Sequence, residues 1–300
     1  MYIRGLRTSA VPRTLVAQMP PVERFRVGFS LDVLPREADV SDVQWTGEGT
    51  MPLQKWLQAA GVGAKHAVRQ HIAEGQVRVD GVVVTRFAEP VTGRERIEVA
   101  GDVVADRALP CVLLMHKPKK HITGLVDPEG RPTLGGYLPA DAPRVFAVGR
   151  LDFNTEGALL WTNDGALARR VLDPAVGLPK VYRVKVRGHL EPDDPGLDRI
   201  RSGLTWRNVT YRPAAARIDI YRSRATWVEI ILTEGQFHEV RRMCHANGWQ
   251  IVKLRREKIG PIELGDLNAR VVRALTPAER EALYASVSLP LPDAFDPCGA

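Results

Sequence analysis

Apolar positions recur at a helical interval from residue 51 onward. Leu53, Trp56, Leu57 and Ala60 stand at i, i+3, i+4 and i+7, one stripe of a helix that Gly61 can end. A second short helix is predicted over 64–74, with Val68 and Ile72 four apart and Gly75 as its stop. The period then drops to two. In QVRVDGVVV, Val77 and Val79 alternate, Asp80-Gly81 supplies a tight turn, and Val82 to Val84 return. Two helices and a hairpin make a small N-terminal module, placed at 51–107.

A larger unit is predicted over 108–289. Strand-like runs (CVLLMHK, VYRVKVRG, TWVEIILT, QIVKL) mix with helical ones (ALARRVL, FHEVRRMCHA, PAEREALYAS) without regular alternation. That favours an α+β fold with a mixed or antiparallel sheet over a doubly wound one. The stretch AGDVVADRALP, 100–110, reads as a linker, and 290–300 as a loose tail. Residues 1–50 show no sustained period and read as a disordered leader. Met51, just after them, is itself a candidate start site.

With 300 residues, 44% of them hydrophobic, the chain can bury one large core or two modest ones. Its net charge of +7 favours a polyanionic partner, nucleic acid first. On the small module almost every charge is positive: Lys55, Lys65, His66, Arg69 and His71 on the helices, Arg78 and Arg86 around the hairpin. This makes it a candidate phosphate-contacting surface, with Lys55, Lys65 and Arg69 as its leading contacts. Cys111, Cys244 and Cys298 are odd in number and far apart, which argues against a disulfide framework and a structural zinc site and fits a reducing cytoplasm. No apolar run approaches the length of a membrane span. A cytoplasmic monomer is expected.

The most polar turn in the larger unit is GRLDFNTEG, 149–157, set between the apolar runs VFAV and ALLW. Asp152, Asn154, Glu156 and Gly157 match the first half of a calcium loop, but the position that needs a bidentate Glu is Asn163, so no metal is expected. Asn154 and Thr155 read as hydrogen-bonding turn residues, and Thr155 and Glu156 as holding the loop in shape. Asp152 differs. A carboxylate at the mouth of a rigid element, near Arg150, stays ionised and aimed, as a nucleophile or base requires.

VGRLDFNTEGALLWTNDG resembles the signature of the RsuA-like bacterial rRNA pseudouridine synthases. LLMHKPKKHITG, PKVYRVKV, EGQFHEVRRM and KLRREKIGPIEL resemble that family's further segments, and the module from Met51 resembles its S-four (alpha-L) RNA-binding domain. The resemblance covers most of 51–285. It departs at Pro52 and Gln54, where the family has Arg and Asp, and at Phe237-His238, where many large-subunit enzymes have Asn-Arg. It implies a cofactor-free isomerisation of a uridine in ribosomal RNA or a pre-ribosomal particle, with Asp152 as the essential carboxylate. Whether Asp152 would attack the ribose, attack the base or remove a proton stays open.

The resemblance further implies Tyr182 as the ring beneath the target base and Arg241 as the partner of Asp152. Strand alternation independently puts Tyr182, Val184 and Val186 on one face, with Arg183, Lys185 and Arg187 on the other. Arg242 is expected to contact phosphate and His238 to contact RNA. Lys117 and Lys180 are expected at phosphates by motif position, and Arg150 beside them. Lys253, Arg255, Arg256 and Lys258 form a dense basic cluster suited to an RNA backbone. Two rivals stand beside this reading: a non-catalytic RNA-binding or assembly protein of the same fold, and a glycosidic hydrolase pairing Asp152 with Glu156.

Overall fold

A computed structural model of the protein describes residues 50–104, 109–222 and 224–297. The leader expected over 1–50 lies outside them, save Thr50.

The first module runs β1 (Met51–Pro52), α1 (Leu53–Ala59), α2 (Lys65–Ala73), β2 (Val77–Val79), β3 (Val82–Val83), β4 (Pro90–Val91), β5 (Ile97–Val99) and β6 (Asp102–Val103). The stripe of α1 is buried through Leu53, Trp56 and Leu57, against Val68 and Ile72 of α2. The β2–β3 turn holds Asp80 at φ 50° and Gly81 at φ 81°, the two left-handed positions that a tight hairpin demands. The four-stranded order is β3-β2-β5-β6. The pairing of β6 with β5 corrects the linker reading: residues 102 and 103 belong to the module.

The larger part continues with β7 (Val112–Lys117), β8 (Phe146–Ala147), β9 (Glu156–Thr162), α3 (Gly165–Leu172), β10 (Lys180–Arg187), α4 (Pro195–Ser202), β11 (Leu204–Trp206) and β12 (Val209–Tyr211). It ends with β13 (Ala215–Arg222), β14 (Ala225–Leu232), α5 (Glu239–Ala246), β15 (Ile251–Ile259), β16 (Ile262–Glu263), β17 (Val272–Ala274) and α6 (Pro277–Ser286). One mixed sheet has the order β13-β14-β10-β15-β9-β7-β17, with β16 beside β15 and β8 beside β9. The chain is thus α+β.

Two cores flank this sheet's middle. Tyr182, Val184 and Val186 pack with Val228 and Ile230 of β14, Leu254 of β15, and Val240 and Met243 of α5. Leu114 and Leu160 pack with Leu167 of α3 and Leu283 of α6. The opposite faces of β7 and β9 are covered too, through Leu113, Met115, Leu159 and Trp161. Burial on both faces is why these two strands read as unbroken apolar runs.

The join of β9 to β15 is the sheet's parallel pairing, with Gly157 opposite Arg256. Gly157 sits at φ 119°, and a Cβ there would lie 2.2 Å from the Arg256 carbonyl oxygen. Only glycine lets the two backbones meet so closely.

The tail is attached rather than loose as far as it is described. Phe295 packs edge-on against Tyr284, and the Asp296 N–H donates to the Pro110 carbonyl at 2.9 Å. The cysteine reading is corrected as well. Cys111 is disulfide-bonded, and Cys244 is free and buried, its thiol pushed up to about 12 by burial. Among the described residues no helix is long and apolar enough to cross a membrane.

Candidate active site

Asp152 stands on the loop between β8 and β9, and that loop is tied down from beneath. Lys117, at the end of β7, is fully buried. Its ammonium donates to the carbonyls of Pro118 at 3.0 Å, Asp152 at 3.0 Å and Thr155 at 2.9 Å. Burial lowers its pKa to about 8. The Thr123 hydroxyl donates to the Leu151 carbonyl at 2.7 Å and accepts the Leu151 N–H at 3.1 Å. The Thr155 N–H closes the turn onto the Asp152 carbonyl at 3.0 Å. With its backbone held on both sides, the Asp152 side chain has little freedom left.

Its carboxylate is held from α5. Arg241 Nε lies 2.9 Å from Oδ2, while Arg241 Nη2 donates to Thr155 Oγ1 at 2.9 Å. Thr155 Oγ1 is in turn 3.3 Å from Oδ2, and His238 Nε2 is 3.3 Å from Oδ1. A guanidinium that bridges the carboxylate and its neighbouring hydroxyl fixes the plane of the carboxylate. The side chain of Asp152 nonetheless keeps 28% of its surface exposed. His238 precedes α5 in the left-handed region at φ 56°, a strained place for a side-chain-bearing residue. Its ring stacks on Phe237, centroids 3.8 Å apart, and the Phe237 ring stands 67% exposed.

Above Asp152 is a cavity of about 130 Å3. Tyr182, Leu232 and Leu254 supply its apolar wall, Arg150 and Gln236 part of its polar one. Tyr182 is 9% exposed, so only one patch of the ring meets the cavity. Sequence reasoning missed Glu239, which also lines it. Its Oε2 accepts the Gln236 N–H at 2.8 Å, and burial raises its carboxyl to about 7. The only sequence signal for it was an acid in the first turn of a predicted helix.

Asp152, Tyr182, Arg241, His238 and Arg150 are therefore brought together, and several predicted phosphate contacts are not. Lys117 is buried in the interior, its ammonium taken by the three carbonyls. Lys180 is buried in the cavity wall, with its ammonium on the Leu178 carbonyl and its pKa lowered by burial. Arg256 is buried, and its Nε donates to the Ala158 carbonyl at 2.8 Å. Desolvation makes such interior cations unavailable to solvent phosphates. The basic cluster around them is neutralised from within. Lys253 pairs with Glu156 at 2.6 Å, Arg255 with Glu257 at 3.1 Å and Lys258 with Glu263 at 2.7 Å.

Glu156 does not line the Asp152 cavity, so the Asp152–Glu156 pair expected of a glycosidic hydrolase is not assembled there. Arg242 is half-buried, 3.2 Å from the Tyr211 hydroxyl. On the small module Lys65 and Arg69 are exposed, Arg69 resting 4.1 Å from the Phe87 ring centroid, and Lys55 is half-buried.

Comparison with known proteins identifies the family. The model of the RNA pseudouridylate synthase family matches residues 111–246, and that of the S4 domain matches residues 51–97. The chain is 37% identical over 239 residues to an uncharacterized RNA pseudouridine synthase of Aquifex aeolicus, covering 79% of this chain and 95% of that one. It is 33% identical over 235 residues to the ribosomal large subunit pseudouridine synthase B of Bacillus subtilis, covering 78% and 95%. A crystal structure of a pseudouridylate synthase shares its fold, with a TM-score of 0.55 at 24% identity over 78% of this chain and 99% of that one. Similarity of this extent, running through both domains, makes the chain a member of the RsuA-like family of RNA pseudouridine synthases, enzymes that isomerise uridine in RNA, with an S4 domain ahead of the catalytic one.

Proposed function

We propose that the chain isomerises one uridine of large-subunit ribosomal RNA to pseudouridine, with Asp152 as the catalytic carboxylate acting on a nucleotide turned out of the RNA. The observation that carries this is the aimed carboxylate: Asp152, held by Arg241 at 2.9 Å, opens into a cavity walled by Tyr182. The name of the Bacillus subtilis relative supports the choice of subunit.

The reaction breaks the bond from uracil N1 to ribose C1′ and forms one from C5 to C1′. The proton on C5 leaves and N1 takes one up. No electrons and no group enter from outside, so the chemistry asks for no cofactor. Attack on C1′, attack on the ring and removal of a sugar proton each begin from an ionised carboxylate within reach. Arg241 and Thr155 hold the Asp152 carboxylate in position for it. Extruding the base costs roughly a few kcal/mol, and stacking on the Tyr182 ring returns roughly 1–3 kcal/mol. Phosphates meet Arg150 and Arg242 near the cavity and Lys65 and Arg69 on the S4 domain, with Lys55 less accessible.

Asp152→Asn keeps shape and removes the charge. On an unmodified transcript of the source organism's large-subunit rRNA, carbodiimide adducts read by reverse-transcription stops should vanish, while the dissociation constant stays within about twofold of the parent. Wild-type-like turnover by this variant refutes the assignment. Identical stop maps from wild-type and deletion strains favour the non-catalytic rival.

A further inference from the structure

Next to the Asp152 cavity lies a second, larger hollow of about 500 Å3, and His238 and Arg241 line both. Its far side is built by Trp206 and Arg207 from the β11–β12 hairpin. Arg242 and His245 of α5 and Trp249 beyond it complete the wall. No carboxylate is among the residues that line it. Trp206 is half-buried, braced edge-on by His245 with centroids 5.3 Å apart. Arg207 is exposed, its guanidinium carbon 5.7 Å from the Trp206 ring centroid. The hollow falls in the roughly 300–1,000 Å3 range of small-ligand sites.

The hairpin holds its cation at a cost. The two residues of its turn, Arg207 and Asn208, sit at φ 47° and 64°. Asn tolerates the left-handed region well, but an arginine is strained there. The sequence nonetheless keeps a long cation at this turn, beside the indole. An indole with guanidinium groups around it is the chemistry of unpaired-base recognition: a flat ring for the base and cations for the phosphate.

We propose that this hollow receives a second unpaired nucleotide of the same RNA strand, adjacent to the target uridine, its base on Trp206 and its phosphate on Arg207 and Arg242. The wall shared through His238 and Arg241 makes the two occupants neighbours along the strand. The inference rests on the reading of Asp152 as the uridine site. It goes beyond that reading by assigning a subsite that selects RNA in which two successive nucleotides leave the stack.

The test uses the full chain and the same large-subunit transcript, with filter binding across a salt series and single-turnover isomerisation. Trp206→Ala should weaken binding about 5- to 150-fold, the range that loss of one stacked base implies. The half-saturating enzyme concentration should rise in parallel, and Trp206→Phe should recover most of the loss. Arg207→Ala should weaken binding and reduce the slope of log affinity against log salt by about one. A Trp206→Ala protein that folds and binds within about twofold of wild type overturns the proposal. If that variant does not fold, Arg207→Ala decides alone, an unchanged affinity and salt slope being the overturning result. Should the wild type isomerise no uridine of the transcript, the Asp152 reading fails, and the binding comparison still judges the hollow separately.

Discussion

Lys117→Met is the perturbation that separates the interior role of this lysine from the phosphate contact its sequence position suggests. The side chain is fully buried, and its ammonium donates to the carbonyls of Pro118, Asp152 and Thr155. Methionine keeps the length and removes the donors. The Asp152 carbonyl retains the Thr155 N–H at 3.0 Å, whereas those of Pro118 and Thr155 lose the ammonium. Stripping two buried acceptors costs roughly 2–6 kcal/mol. Against this stands the relief of a desolvated charge. Burial lowers the pKa from 10.5 to about 8, which corresponds to about 3 kcal/mol. Global stability should therefore move only between a gain of about 1 and a loss of about 3 kcal/mol.

The rate is the sharper readout, because the lost bonds are those that hold the backbone of Asp152 and Thr155. A misplacement near 1 Å costs on the order of 100-fold in the chemical step. Single-turnover isomerisation should fall by about that factor while RNA affinity and its salt slope stay put. The opposite pattern, a salt slope lower by about one with the saturated rate intact, would falsify the interior role. The pH dependence adds a second signature. Below pH 8 Lys117 is charged in both states and its penalty is complete. Between about 8 and 10.5 the folded protein releases the proton that the unfolded chain keeps, so this group makes stability rise with pH. Over the same window the neutral amine has one donor fewer for the loop, and the rate should fall. Lys117→Met should show neither trend.

Two further outcomes follow from the same scaffold. Gly157→Ala places a methyl 2.2 Å from the Arg256 carbonyl oxygen at φ 119°, and should cost roughly 3–5 kcal/mol in urea unfolding with loss of activity; a cost below about 1 kcal/mol would contradict the close parallel join. Glu239, raised to about 7 by burial, binds its proton more tightly in the folded state, so its contribution is complete below about 4.5 and lost as pH rises through 7. Stability measured from pH 4.5 to 7.5 should decline less in Glu239→Gln than in the wild type, and parallel curves would count against a buried carboxyl.

Local pattern carried the elements whose two faces differ. The α1 stripe, the Asp80-Gly81 turn and the alternation along β10, which puts Tyr182, Val184 and Val186 inside, were all legible. Asp152 was legible because a polar turn between two apolar runs is conspicuous. Other elements left no local trace. β7 is buried on both faces, so nothing in CVLLMHK marks Lys117 as interior rather than as a cation at a strand end. β13 is a largely exposed edge strand with weak alternation, and it was missed. The basic run 253–258 looked like one patch because most of its partners lie on other strands. Glu156 arrives from β9, Glu263 from β16, and the carbonyl that takes Arg256 belongs to Ala158.

The inward turn of these cations changes what the charge surplus means. A net +7 over the whole sequence suggested a nucleic-acid partner, and the cluster Lys253, Arg255, Arg256 and Lys258 a contact with its backbone along β15. In the fold, Lys117 instead holds the Asp152 loop, Arg256 grips β9 and Lys180 is buried on the Leu178 carbonyl, while Lys253 and Arg255 are paired with glutamates. The cations proposed to meet phosphate lie elsewhere, on α2 of the S4 domain and around the two cavities beside α5. The salt dependence of RNA binding should therefore respond to Arg69 and Arg207 and barely to Lys253. The strand that looked most like an RNA surface serves as the mount for the carboxylate, through a glycine that admits its backbone and an arginine that grips the strand alongside.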